Sequence, residues 1–150
     1  MVRSVLYVVL SAFALSNVAL AQNSNGSALE AKAMQEKAVT ELKADQTAAL
    51  AKFNDQKGPF RDRDLYVFCF DIGSGKITTH IYPAVIGTDG RTAKEKDGTP
   101  FGQKLYDAAV EGKINTVSYK FPKPGSTEPV PKEAYVTRVG NQGCAVGYYK

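Results

Sequence analysis

One histidine and two cysteines in 150 residues leave little material for metal chemistry. Zinc sites draw three or four His, Cys or carboxylate ligands from short spacings. His80, Cys69 and Cys144 are far apart, so neither a metal nor another cofactor is expected. Catalysis is equally short of parts. No nucleophile motif of Ser or Cys stands beside His80, and Gly73-Ser74-Gly75 is too short for a nucleophile elbow. Asp62 and Asp64 flank a strand start and read as solvated carboxylates. The chain is therefore not expected to be an enzyme. Lys and Arg total 19 against 15 Asp and Glu, with no basic run, and this excludes a nucleic-acid interface. The +4 charge describes a solvated surface with a mild bias toward small anions. Gly73-Ser74-Gly75-Lys76 lacks the spacing and the following helix of a phosphate loop, so it is a hairpin turn.

Beyond the N-terminus the chain has no apolar run long enough to cross a bilayer. At the N-terminus, Arg3 is the sole charge before Glu30, and Val5 to Leu15 is apolar but for Ser11. Ala19-Leu20-Ala21 then satisfies the small-x-small cleavage rule. Residues 1–21 are expected to be a signal peptide and 22–150 a single domain. The protein is expected to be periplasmic or secreted, after cleavage near Ala21. Apolar content of 43% and charged content of 23% are those of a chain that buries a core. In an oxidising compartment Cys69 and Cys144 form a disulfide or remain two buried thiols.

The chain is organised around Leu65-Tyr66-Val67-Phe68-Cys69-Phe70, an unbroken apolar run between Asp64 and Asp71. Such a run predicts a strand buried on both faces. Before it, Ser27-Ala28-Leu29-Glu30 is a capping box that opens a helix running to about Lys57. Met34, Ala38, Val39, Leu42, Ala49, Leu50 and Phe53 give that helix an apolar stripe, and Gly58-Pro59 ends it. After the central strand come a turn and a second strand over 77–82. An irregular connection follows, with Arg91 to Lys96 facing solvent. A helix is then capped by Thr99 and begins at Pro100. Strands over 114–121, 130–139 and 144–149 complete an α+β domain. The expected fold is PAS-like, a five-stranded antiparallel sheet with a long N-terminal helix packed along it.

These residues resemble the single Cache domain family. The resemblance rests on Asp64-Leu65-Tyr66-Val67-Phe68, on Thr79-His80 with Pro83-Ala84-Val85-Ile86-Gly87, and on Asp97-Gly98-Thr99-Pro100-Phe101. It rests also on Pro131-Lys132-Glu133-Ala134-Tyr135-Val136 and the closing Gly147-Tyr148-Tyr149-Lys150. It covers about Ser27 to Lys150. It implies an extracytoplasmic PAS-like sheet whose face opposite the long helix holds a small-molecule pocket, often for carboxylates or amino acids. It implies that the first and last strands are neighbours, which favours pairing Cys69 with Cys144. Relatives of this kind sit between two membrane spans. A chain ending at Lys150 is instead expected to be a stand-alone exported member.

A small carboxylate requires a cation or several N–H and O–H donors inside an apolar cup. His80, Tyr119, Lys132 and Tyr135 are the expected donors, and Phe101 is expected to close one side. Tyr82, Lys104 and Arg138 are secondary candidates; Arg138 shares strand parity with Lys132. The expected function is sensor-type binding of a small organic anion, with a membrane receptor or sensor kinase as possible partner. The alternative is an interaction module without a working pocket, docking on a receptor or forming a homodimer through the N-terminal helix.

Overall fold

A computed structural model describes residues 25–150. The expected signal peptide lies outside the described residues. The expected long helix is two helices, α1 (Ala28–Ala44) and α2 (Gln46–Asn54). The break is at Asp45, whose backbone is extended and whose Oδ1 accepts the Ala48 N–H at 3.0 Å. A short polar side chain that satisfies a free amide of the next helix lets the helix restart after the break. The capping box is present as expected: Ser27 Oγ accepts the Glu30 N–H, and Glu30 accepts the Ser27 N–H.

Six antiparallel strands follow: β1 (Arg61–Asp62), β2 (Leu65–Asp71), β3 (Ile77–Thr79), β4 (Asn115–Pro122), β5 (Pro129–Val139) and β6 (Gln142–Tyr149). The sheet order is β1-β2-β6-β5-β4, and β3 pairs with β2 beyond β1. The sheet thus has one strand more than the expected five. The addition is the two-residue β1, too short for a periodicity to announce it. β3 is shorter than expected, because Pro83 opens a 3-10 turn (Pro83–Val85) and a second such turn follows at Gly90–Thr92. Helix α3 (Gly102–Ala108) starts two residues later than expected, after Phe101, with no side-chain cap from Thr99.

β2 lies inside the sheet, between β6 and the short β1 and β3, and is buried on both faces. Leu65, Val67 and Cys69 point to the helices, where Ala31, Met34, Ala38, Leu42 and Phe53 meet them. Tyr66 and Phe68 point the other way, into a second cluster with Phe101, Leu105, Val117 and Tyr119. The apolar stripe of α1 is used against the sheet. Its outer side carries exposed Lys32, Glu36, Lys37 and Lys43. β2 and β6 are neighbours, and Cys69 faces Cys144 in the register. The two form a disulfide with both residues fully buried. Among the described residues no helix is long and apolar enough to cross a membrane.

Candidate functional site

The second cluster encloses a cavity of about 110 Å³. Its floor is the sheet face opposite α1: Tyr66, Phe68 and Phe70 from β2, and Tyr119 and Phe121 from β4. Alternation puts these residues on one face, because successive side chains in a strand point to opposite sides. Phe101 and Leu105 form the opposing wall, with Phe101 stacked on Tyr119 at 4.6 Å between centroids. The connection over 83–102 is the roof. It is pinned to the β2–β3 turn by the Gly90 N–H to the Gly75 carbonyl and by Arg91 Nη2 to the Ser74 carbonyl.

Arg91 corrects an expectation. It belongs to the segment expected to face solvent, yet it lines the cavity and lies over the Tyr106 ring at 5.6 Å. Its charge is matched by Asp89, which accepts from Nε at 2.8 Å and from Nη2 at 2.6 Å. No sequence pattern reveals this, because the pairing depends on the 3-10 turn folding back on Ser74.

His80 lies at the end of β3, is 8% exposed, and lines the cavity. Its Nδ1 accepts the Tyr82 N–H at 3.1 Å, so the neutral ring carries its proton on Nε2. Burial pushes its pKa down to about 4, helped by the positive charges of Lys132 and Arg61. Tyr119 also lines the cavity, and burial holds its phenol well above the usual range. Among the described residues neither His80 Nε2 nor Tyr119 Oη has a hydrogen-bond partner. Two donors without a partner, together with the Asp89-paired Arg91, therefore border a mostly apolar space.

Lys132 is 1% exposed. It sits on β5 between Tyr119 of β4 and Tyr149 of β6. Its stem crosses β6 over Gly147, where a Cβ would run into Cε. Nζ donates to Tyr66 Oη at 3.0 Å and to Tyr149 Oη at 3.4 Å. It also lies over the Tyr66, Tyr149 and Phe121 rings, at 4.3, 4.8 and 5.3 Å from their centroids. Tyr66 and Phe121 are themselves cavity walls, so the amine stands directly behind them. Burial pushes its pKa down to about 7, against the opposing field of Asp64. Aromatic faces and neutral hydroxyls offset only part of the cost of burying an ammonium.

Four expected site residues, His80, Phe101, Tyr119 and Lys132, thus come together on one side of the sheet. Tyr135 does not. It packs in the helix-facing core, stacked on Tyr148 at 5.9 Å. The reason is strand parity: an odd and an even position of β5 face opposite ways, so Lys132 and Tyr135 cannot share a pocket. Of the secondary candidates, Tyr82 packs beside His80 and Phe121, and Lys104 is exposed. Arg138 donates to the Gly140 carbonyl at 2.6 Å, at the far end of β5. Tyr66 and Phe121 are cavity residues that sequence reasoning missed. The alternation of β2 could have found Tyr66.

The architecture has known counterparts. The family model for single Cache domain 2 matches residues 4–148. The chain belongs to this family. The methyl-accepting chemotaxis protein McpP of Pseudomonas putida is 28% identical to this Cache chain over 86 residues. That stretch is 57% of the chain and 16% of the relative, so the chain spans under a fifth of the relative's length. Among solved structures, a methyl-accepting chemotaxis protein from Vibrio parahaemolyticus superimposes with a TM-score of 0.65 at 23% identity. The overlap is 81% of this chain and 86% of that one. A structure described as the basis for carboxylic acid recognition by a Cache chemosensory domain gives a TM-score of 0.57 at 24% identity. There the overlap is 81% of this chain and 86% of that one. The domain thus has the fold of chemotaxis sensor domains.

Proposed function

We propose that this Cache domain senses a small organic anion, a carboxylate with a short apolar tail, and binds it without chemistry. The observation that carries the reading is Lys132: a buried amine behind the cavity wall, with no carboxylate at ion-pair distance among the described residues. An anion reaching it would supply the missing counter-charge, and His80 Nε2 and Tyr119 Oη are the free donors along the way. The size suits the class. An apolar cavity of ~150 Å³ holds benzene, so about 110 Å³ suits a molecule of a few carbons. Among the described residues no Asp or Glu lines the cavity, which favours a simple carboxylate over an amino acid with its ammonium group.

The domain works outside the cytoplasm, after removal of residues 1–21, and passes its state to a membrane receptor. The Cys69–Cys144 disulfide supports that compartment. The test is thermal shift and calorimetry against acetate, propionate, pyruvate and a panel of amino acids. The expected result is concentration-dependent stabilisation by the short carboxylates, lost in Lys132→Met. A flat response from verified ligand-free protein would sink the reading.

A further inference from the structure

The roof of the cavity carries an ion pair that the anion site does not use. Among the described residues Arg91 is the one cation lining the cavity. Its guanidinium is held by Asp89: Nε donates to Oδ1 at 2.8 Å and Nη2 to Oδ2 at 2.6 Å. Asp89 Oδ1 also accepts the Arg91 N–H at 3.0 Å. Nη2 is shared, because it donates to the Ser74 carbonyl at 3.0 Å as well. The pair therefore ties the roof turn, Gly90–Thr92, to the turn between β2 and β3. Gly75 provides its seat. The φ there is 73°, and a Cβ would run into Arg91 Nε and crowd Asp89 Oδ1.

The roof turn is joined in its other direction to the cavity wall. The Phe101 and Gly102 N–H groups donate to the Ala93 carbonyl at 3.2 and 3.0 Å. A Cβ at Gly102 would overlap the Gly90 carbonyl. A shift of Gly90–Thr92 is thus passed directly to Phe101. The mouth of the cavity lies here too. Ile77, Val85, Arg91, Ala93 and Tyr106 are half-buried lining residues, whereas Tyr66, Phe68, His80 and Tyr119 are buried. The Arg91 and Asp89 side chains are 35% and 36% exposed. An ion pair this open to water is weak. A guanidinium accepts any carboxylate in the same forked geometry. A carboxylate from solution therefore competes with Asp89 for Arg91.

We propose that the Asp89–Arg91 pair is the latch of the cavity, and that an incoming carboxylate opens it by taking the place of Asp89 on Arg91. Asp89 turns out to water. The carboxylate draws Nη2 away from the Ser74 carbonyl, and the roof turn parts from the β2–β3 turn. The ligand then moves inward to His80 Nε2 and Tyr119 Oη, and Asp89 closes the latch behind it. Arg91 is the entry contact that selects anions. The trigger rests on the carboxylate reading given above, whereas the latch stands without a ligand.

The first arm of the experiment is amide hydrogen exchange at Gly90, whose N–H bonds the Gly75 carbonyl at 2.9 Å. It is followed by NMR in wild type, Asp89→Asn and Arg91→Gln, with Val146 of β6 as core reference. Both variants undo the latch, so Gly90 should exchange about fivefold faster relative to Val146 in each. Exchange within about twofold of wild type in either variant overturns the latch. The second arm is the association rate of propionate, from NMR line shapes at low and high salt. Asp89→Asn leaves the guanidinium open, so association should be faster than in wild type and should slow with salt. Arg91→Gln opens the roof but offers no entry cation. Its association should be about tenfold slower than in Asp89→Asn and less dependent on salt. A pair that is only a fastening would change both variants alike, and equal rates overturn the carboxylate exchange. If one variant does not fold, the other is compared with wild type and decides alone. Failure of propionate to bind wild type counts against the carboxylate reading, while Gly90 exchange still decides the latch.

Discussion

Tyr66 Oη and Lys132 Nζ lie 3.0 Å apart although 66 residues separate them in the chain. That contact joins β2, which floors the cavity, to β5, which brings a buried amine behind the cavity wall. It is made across β6, whose Gly147 leaves the stem room to pass.

The first prediction concerns pH. Lys132 has a folded pKa of about 7 against 10.5 for the free side chain. Between those values the unfolded chain holds a proton that the folded chain has released, so stability rises with pH across this window. Downward, that stability is lost as the pH falls toward 7. One proton gives a slope of at most about 1.4 kcal/mol per pH unit. Denaturant unfolding from pH 7 to 10.5 should show the slope, and Lys132→Met should flatten it.

His80 acts in a lower window with the same sign. Its folded pKa of about 4 lies below the ordinary 6.5. Its contribution is complete above 6.5 and is lost as the pH falls through about 4. A melting-temperature profile from pH 4 to 7 should fall on the acid side, and His80→Gln should fall less steeply.

Anion binding should carry the opposite dependence on Lys132. The bound carboxylate needs the ammonium form, so above pH 7 the free protein must take up a proton to bind. Affinity for a short carboxylate, measured by calorimetry, should fall by up to about tenfold per pH unit above 7. A pH-independent affinity would mean that Lys132 is not the anion's partner.

Gly147→Ala should injure the site without touching the cavity wall. The new methyl would meet the Lys132 stem, which must shift and carry Nζ away from Tyr66. Overpacking of this kind costs about 1–3 kcal/mol. Chemical denaturation should show the loss, and the lysine titration should move with it.

Reduction of Cys69–Cys144 should be costly. The bridge spans 75 residues, and releasing such a loop in the unfolded chain corresponds to about 4 kcal/mol in the chain-entropy model. Urea unfolding with and without reductant measures this directly. A midpoint unchanged by reductant, with reduction confirmed by mass, would contradict it.

Local order was legible in the sequence. The run from Leu65 to Phe70 has no solvent-tolerant position, so it had to be a strand covered on both faces. The Ser27–Glu30 capping box had one reading, because both partners of each hydrogen bond lie within a single turn. His80, Phe101, Tyr119 and Lys132 could be nominated from residue chemistry and family resemblance. Tyr135 was misplaced although the alternation of β5 already separated it from Lys132. What only the tertiary structure decided are relations between distant segments. The long helix is broken at Asp45, where the backbone turns extended and the side chain caps α2. Arg91 enters the cavity roof because a 3-10 turn folds onto Ser74. The state of Lys132 depends on Tyr66, Tyr149 and Asp64, which are far from it in the chain. Periodicity reports which side of an element is apolar, whereas burial of a charge depends on what the rest of the chain places around it.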